Sequence, residues 1–110
     1  MVRKVLIPLY KDEVAPRFDL CAEVLIVMYG SDGRTGENII VLQQPSPEDL
    51  CHMILKEKID LVICGGIEEE YYQYLNWKNV KVIDDVIGEK DAVLAGYEKG
   101  GLKSGDIFFE

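Results

Sequence analysis

The residues with most chemistry to offer are three thiols, one imidazole, a Gly-Gly pair and one arginine set among apolar neighbours. Cys21, Cys51 and Cys64 are odd in number, widely spaced and form no C-x-x-C. Neither a disulfide framework nor a standard zinc site can be written from them. As thiolates they remain soft ligands, suited to an iron–sulfur type of group. Cys51 and His52 are adjacent on a helical segment, so they point about 100° apart and do not share one metal ion. His52 reads as a surface residue. Cys64 ends an apolar run and has two readings, a small packed residue or a ligand. Cys21 follows a polar loop and is expected to be partly exposed, within reach of the same rim.

Two segments are candidates to meet at a site. The connection Tyr10–Glu23 carries Val14-Ala15-Pro16-Arg17-Phe18-Asp19; structureless loops of this length are uncommon in compact domains and are usually functional. As a plain loop it would use Phe18 as its hydrophobic anchor and leave Arg17 and Asp19 solvated. The second segment is Cys64-Gly65-Gly66-Ile67, where two glycines open backbone conformations closed to other residues and allow close approach of a ligand. The pair equally makes a tight turn with no ligand, and it lacks the spacing of a phosphate-binding loop. Glu68-Glu69-Glu70 already complements the start of the following helix. The carboxylates do not form a two-metal nuclease centre, which needs several acids on converging strands. The first strand, Val2 to Leu9, holds Arg3 and Lys4 but no acid; Asp60 stands at the wrong end of its strand, and Asp84-Asp85 is one pair alone. No Ser/His/Asp or Cys/His pair can be argued.

The elements that position these residues follow from periodicity. Val5–Leu9 is a continuous apolar run of the kind buried on both faces, with Pro8 near its end. Val24–Tyr29 and Ile39–Leu42 flank the turn-rich cluster Gly30–Gly36 and read as an antiparallel hairpin. Ser46-Pro47-Glu48-Asp49 supplies an N-cap hydroxyl, Pro at the first helical position and two acids in the first turn. Leu50, Met53 and Ile54 continue that helix to near Lys58. Leu61–Cys64 and Val80–Ile83 are strands; between them Ile67, Tyr71, Tyr74 and Leu75 recur at helical spacing. A last helix runs from about Glu89 to Glu98, with Val93, Leu94 and Tyr97 inward and Gly100 ending it. The order β-β-β-α-β-α-β-α calls for an α/β domain with a five-stranded mixed sheet of order 3-2-1-4-5 and strand 2 antiparallel to strand 1. This is the ribonuclease H-like topology, and its ligand-prone crevice lies between the first and fourth strands at their carboxyl ends.

Composition sets the outer bounds. Twelve Lys+Arg stand against 20 Asp+Glu, a net charge of −8, the opposite of the basic stripe that displaces counterions from nucleic acid. Anionic membranes repel such a chain too. No stretch has the apolar length of a signal peptide or a membrane span, and the expectation is a reduced, cytoplasmic protein.

In this order the segments Val5-Leu6-Ile7-Pro8, Val14-Ala15-Pro16-Arg17-Phe18, Cys64-Gly65-Gly66-Ile67 and Ala92–Leu102 resemble the dinitrogenase iron–molybdenum cofactor biosynthesis family, the NifX-like proteins. The likeness covers nearly the whole chain. It implies a ribonuclease H-like fold without nuclease activity, and binding of an iron–sulfur or iron–molybdenum–sulfur cluster or its precursor for storage or delivery. It also implies partners among metallocofactor assembly or acceptor proteins. The site it implies comprises Arg17, Phe18, Cys21, Cys64, Gly65, Gly66 and Ile67, with Cys64 or Cys21 as the candidate metal ligand. Two positions depart from the pattern: Arg17 stands where the family often has His, and Gln43-Gln44-Pro45-Ser46 replaces a Gly-rich, His-containing stretch.

Three functions compete. One is a cluster carrier; another is an interaction module without a prosthetic group, drawn from the crowding of Tyr71, Tyr72, Tyr74 and Trp77 on one short helix. The third, an enzyme acting on a small anion, has no identifiable base, so the expectation is a protein without catalysis. Residues 1–102 read as one domain and 103–110 as a tail. In that tail Ile107–Phe109 is expected to be docked, either on its own chain or on a second copy in a homodimer.

Overall fold

Strand β1 (Arg3–Tyr10) is apolar at consecutive positions because the sheet is covered on both sides. The computed structural model describes residues 3–44 and 46–108. Side chains alternate across a strand, and Val5, Ile7 and Leu9 enter one core while Leu6 enters the other. β1 pairs antiparallel with β3 (Glu23–Gly30), from Arg3 opposite Tyr29 to Leu9 opposite Glu23. On its other side it pairs parallel with β5 (Leu61–Ile63) at Val5–Leu61 and Leu6–Val62. β4 (Gly33–Val41) and β6 (Lys81–Ile83) complete the order β4-β3-β1-β5-β6. That order and the directions of the β1 pairs agree with the sequence-based expectation.

The strand count does not. Among the described residues the sheet has six strands, because β2 (Glu13–Val14) folds back on the end of β1 with Leu9 opposite Val14 and Tyr10 opposite Glu13. Lys11 takes a left-handed φ of 59° to make that turn. The supposedly structureless connection is thus a short hairpin followed by a 3-10 turn, Phe18–Leu20. A second correction concerns Gly30–Gly36, which is strand at both ends, with Gly30 paired to Gly33 across Ser31-Asp32. As an edge strand β4 buries little, and Ile39 and Val41 are exposed.

Helix α1 (Pro47–Lys56) begins as its sequence dictates: the Ser46 hydroxyl accepts from the Asp49 N–H at 3.1 Å. Leu50, Cys51 and Ile54 of α1 and Leu75 of α2 (Glu69–Trp77) cover the face that carries Leu6, Val24 and Val62. Tyr71 and Tyr72 are half-buried there, but Tyr74 is not inward. It lies on the helix flank beside the exposed Trp77, their ring centroids 6.1 Å apart. On the opposite face Val93 and Leu94 of α3 (Lys90–Glu98) pack against Val5, Ile7 and Leu25. Among the described residues no helix is long and apolar enough to cross a membrane.

The tail returns to the same chain. Ile87 N–H donates to Asp106 O (3.0 Å) and Phe108 N–H donates to Ile87 O (2.7 Å). Phe108 fills a notch that only glycines leave open: a Cβ on Gly88 would stand 2.7 Å from the Phe108 Cβ, and one on Gly96 2.8 Å from its Cζ. Phe109 lies outside the described residues.

Candidate functional site

The carboxyl ends of β1, β5 and β6 surround a crevice of about 410 Å³ whose lining includes Tyr10, Val14, Pro16, Gly66, Val86 and Ile87. Two exposed carboxylates, Glu13 and Asp85, and no cation share that lining. Backbone contacts build it. Gly66 N–H donates to Pro16 O at 2.8 Å, and Phe18 N–H donates to Gly66 O at 2.7 Å. Val14 N–H donates to Gly88 O at 2.9 Å, and Asp85, with a left-handed φ of 56°, donates its N–H to Gly65 O at 3.0 Å. Gly65 is required for this stitching, since a Cβ there would lie 2.3 Å from Ala15 O and 2.6 Å from Pro16 O. The space that its missing side chain leaves is filled by the chain's own backbone.

The residues singled out from sequence separate into three groups. Gly65 and Gly66 line the crevice. Phe18, Cys21 and Cys64 are buried in the core on the α1 and α2 side, and Ile67 packs against that core. Burying Phe18 contributes on the order of 2–3 kcal/mol and anchors the loop. Arg17 bridges to Gly66 on the outside, but its guanidinium is engaged. Nε donates to Asp19 Oδ1 (3.1 Å), Nη2 donates to Asp19 Oδ2 (2.9 Å), and Glu68 lies 3.8 Å away.

Cys21 is buried, not partly exposed, because the 3-10 turn before it folds Phe18 and the following chain inward. Burial pushes its thiol up to about 11, with Asp19 adding in the same direction. Cys51 is likewise pushed up to about 11 by burial and by Glu48. Cys64 is raised further, first by burial and then by Asp84 and Asp85. All three thiols are free and buried, and a thiol in that condition is neither nucleophile nor ready ligand. Among the described residues no group of three or more His, Cys, Asp and Glu converges as a metal site. His52 is on the surface. Tyr10 and Glu13 belong to the candidate connection without having been singled out in it, whereas sequence reasoning missed Val86, Ile87 and Gly88 altogether; the sole local signal for these was the glycine between Ile87 and the helix-capping Glu89.

A second cavity of about 880 Å³ opens at the other, amino end of the sheet. Its walls include Arg3, Tyr29, Arg34, Lys81, Tyr97 and Glu98, drawn from β1, β3, β4, β6 and α3. Arg34 Nε and Nη2 donate to Glu98 Oε2 at 3.0 and 2.6 Å, and the Tyr29 hydroxyl donates to the same oxygen at 2.8 Å. These donors hold the Glu98 carboxyl below its ordinary range.

No family model matches this chain, and no curated protein matches it in sequence. Solved structures do match its fold. The crystal structure of the protein PH0822 is 21% identical, covers 92% of this chain and 93% of its own, and gives a TM-score of 0.83. A crystal structure from Methanocaldococcus jannaschii, called a "putative dinitrogenase", is 24% identical over 94% of each chain with a TM-score of 0.76. A solution structure from Thermotoga, called a "putative NifB protein", is 17% identical over 98% of this chain and 97% of its own, with a TM-score of 0.67. At these identities the likeness shows the fold, over nearly the whole chain.

Proposed function

We propose that this chain is a binding protein of metal–sulfur cofactor assembly, a carrier without a catalytic step that holds its cargo in the carboxyl-end crevice and passes it to an acceptor protein. The observation that carries the reading is the meeting of the Val14–Phe18 segment with the Gly65–Gly66 turn at that crevice. Those are two of the segments on which the resemblance to the NifX-like proteins rests. The names of two fold neighbours, one for dinitrogenase and one for NifB, support it.

The cargo implied is an iron–sulfur or iron–molybdenum–sulfur cluster, and the chain's thiols do not fit it as ligands. All three are buried and none lines the crevice. Arg17 does not fit as a free counter-cation, because Asp19 occupies two of its donors. What the crevice offers instead is a hollow of about 410 Å³ walled by Pro16, Gly66 and Val86, beside the Glu13 and Asp85 carboxylates, which disfavour an anionic cargo. We therefore assign the cargo to non-thiolate holding.

The test is anaerobic incubation of the full chain with ferrous iron and sulfide, then desalting and visible absorption. The expected result is colour that travels with the parent protein, persists in Cys64→Ala and is lost in Gly66→Val. A colourless parent overturns the carrier. Loss of colour in Cys64→Ala with native circular dichroism overturns the non-thiolate assignment.

A second reading has its own observation. Trp77 is 73% exposed, beside Tyr74 and under Lys78 Nζ at 4.5 Å, and exposed aromatics of this kind are enriched at protein interfaces. An interaction module would lose its partner in Trp77→Ala and take up no iron.

A further inference from the structure

We infer that the amino-end cavity binds a small organic anion carrying a flat apolar ring. This does not rest on the carrier reading, because the two hollows share no lining residue. Its volume of about 880 Å³ falls within the range of small-molecule sites.

The charge lining it runs against the rest of the molecule. The chain has 12 basic and 20 acidic residues, yet the cavity gathers three cations, Arg3, Arg34 and Lys81, against two acids, Asp60 and Glu98. Glu98 is matched by Arg34. Asp60 Oδ2 accepts from the Lys4 backbone N–H at 2.8 Å. Among the described residues Arg3 donates only to the Tyr97 hydroxyl, at 3.3 Å. Among the described residues neither Arg3 nor Lys81 has a carboxylate at ion-pair distance. Two cations of one lining are thus left without a carboxylate partner at ion-pair distance among the described residues, and arginine's planar donor fork suits a carboxylate or a phosphate.

The ring follows from the remaining walls. Tyr29 and Tyr97 pack edge to face, their centroids 5.5 Å apart and their planes at 62°. That pair, with Leu61, Ile83 and Leu102 in the same lining, offers an apolar and aromatic surface on which a flat group stacks. Gly33 and Gly100, in the same lining, border open space, since a Cβ on either would meet nothing within 4 Å. A nucleic-acid strand does not fit the pattern: the cations surround one hollow in an acidic molecule instead of tracking a backbone.

The test is titration of the 15N-labelled full chain with phenyl phosphate and, separately, with benzoate, followed by amide shifts. The expected result is saturable shifts at Gly30, Gly33, Lys81 and Gly100, with Gly65, Gly66 and Gly88 unmoved. The probe that binds more tightly identifies the head group. Arg3→Ala and Lys81→Ala, both exposed positions, should each weaken binding about fivefold or more, the scale of one lost charge-assisted contact. Inorganic phosphate and phenol alone should bind more weakly than phenyl phosphate. No saturation by either probe at millimolar concentration, shifts at the crevice instead, or affinity unchanged in both variants would overturn the inference.

Discussion

At its carboxyl end β1 runs into a hollow made of main chain: carbonyls of Ala15 and Pro16 against Gly65, the Gly66 amide against Pro16, the Gly88 carbonyl against Val14. At its amino end the same strand opens into a hollow bounded by long side chains, with Arg3, Arg34, Lys81 and two tyrosines around it. The first is framed by backbone atoms that cannot rotate away, and its lining holds acids but no cation. The second derives its charge from side chains with many rotamers. A main-chain site tolerates change poorly and binds by fit; a side-chain site tolerates change well and selects by charge.

The sharpest way to break this contrast is at Gly65. Gly65→Ala drives a methyl into two backbone carbonyls and should cost about 3 kcal/mol, the upper range of overpacking. Gly66→Ala, whose Cβ meets Pro16 O at an ordinary 3.4 Å, should cost less than ~1 kcal/mol. Urea midpoints measure both, and a Gly65→Ala protein as stable as its parent would end the claim of a main-chain-built crevice. Phe108→Ala comes next. The ring is half-buried against Gly88 and Gly96, so about 2 kcal/mol is expected, below the cost at a fully buried site. In thermal melts that is a fall of about 10 °C for a chain of this size.

A third test is the dryness of the core behind the crevice, read by pH. The Cys21 thiol is raised from 9.0 to about 11. Between those values the unfolded chain has released the proton and the folded chain has kept it, so stability falls as pH rises. From pH 9 to 10 the parent should lose about 1 kcal/mol more than Cys21→Ala. Parallel stability curves for the two proteins would mean that the thiol is wet. The smallest effect belongs to the amino end. Arg34→Ala removes an ion pair whose side chains are 35% and 36% exposed, and should cost about 0.5 kcal/mol, fading in high salt. A loss of several kcal/mol would show that this end, too, is rigid.

What could be read from sequence was whatever pattern lay close together in the chain. Ser46-Pro47-Glu48-Asp49 located a helix start because cap, proline and acids act over one turn. Val5–Leu9 announced a strand with two covered faces because nothing polar interrupts it. β4 was half missed because an edge strand buries little, and Gly33, Arg34, Thr35 and Gly36 carry no apolar alternation. The depth of Cys21 was hidden because a polar connection doubles back as a hairpin and a 3-10 turn, a tertiary event with no local signature. Topology pointed to the carboxyl ends of β1 and β5, where a hollow lies, and Gly65 and Gly66 line it; Val86, Ile87 and Gly88 escaped because backbone atoms carry no side-chain motif. The amino-end cavity draws Arg3, Tyr29, Arg34, Lys81 and Tyr97 from five separate elements. Its one trace in the sequence was basic residues opening β1 and β6 in an acidic chain.

The hydrogen bond from Phe108 N–H to Ile87 O gives the crevice an observable of its own. Ile87 lines the hollow, while Phe108 is seated behind it in the glycine notch. Solvent can exchange the Phe108 amide proton only when the chain end peels from residue 87, a sub-global opening with its own free energy. On the proposed carrier reading, cargo resting on Ile87 would penalise that opening, and occupancy of the crevice would slow deuterium uptake at the Phe108 amide. Exchange at that one amide would thus report on the crevice without colour or chemistry to read it.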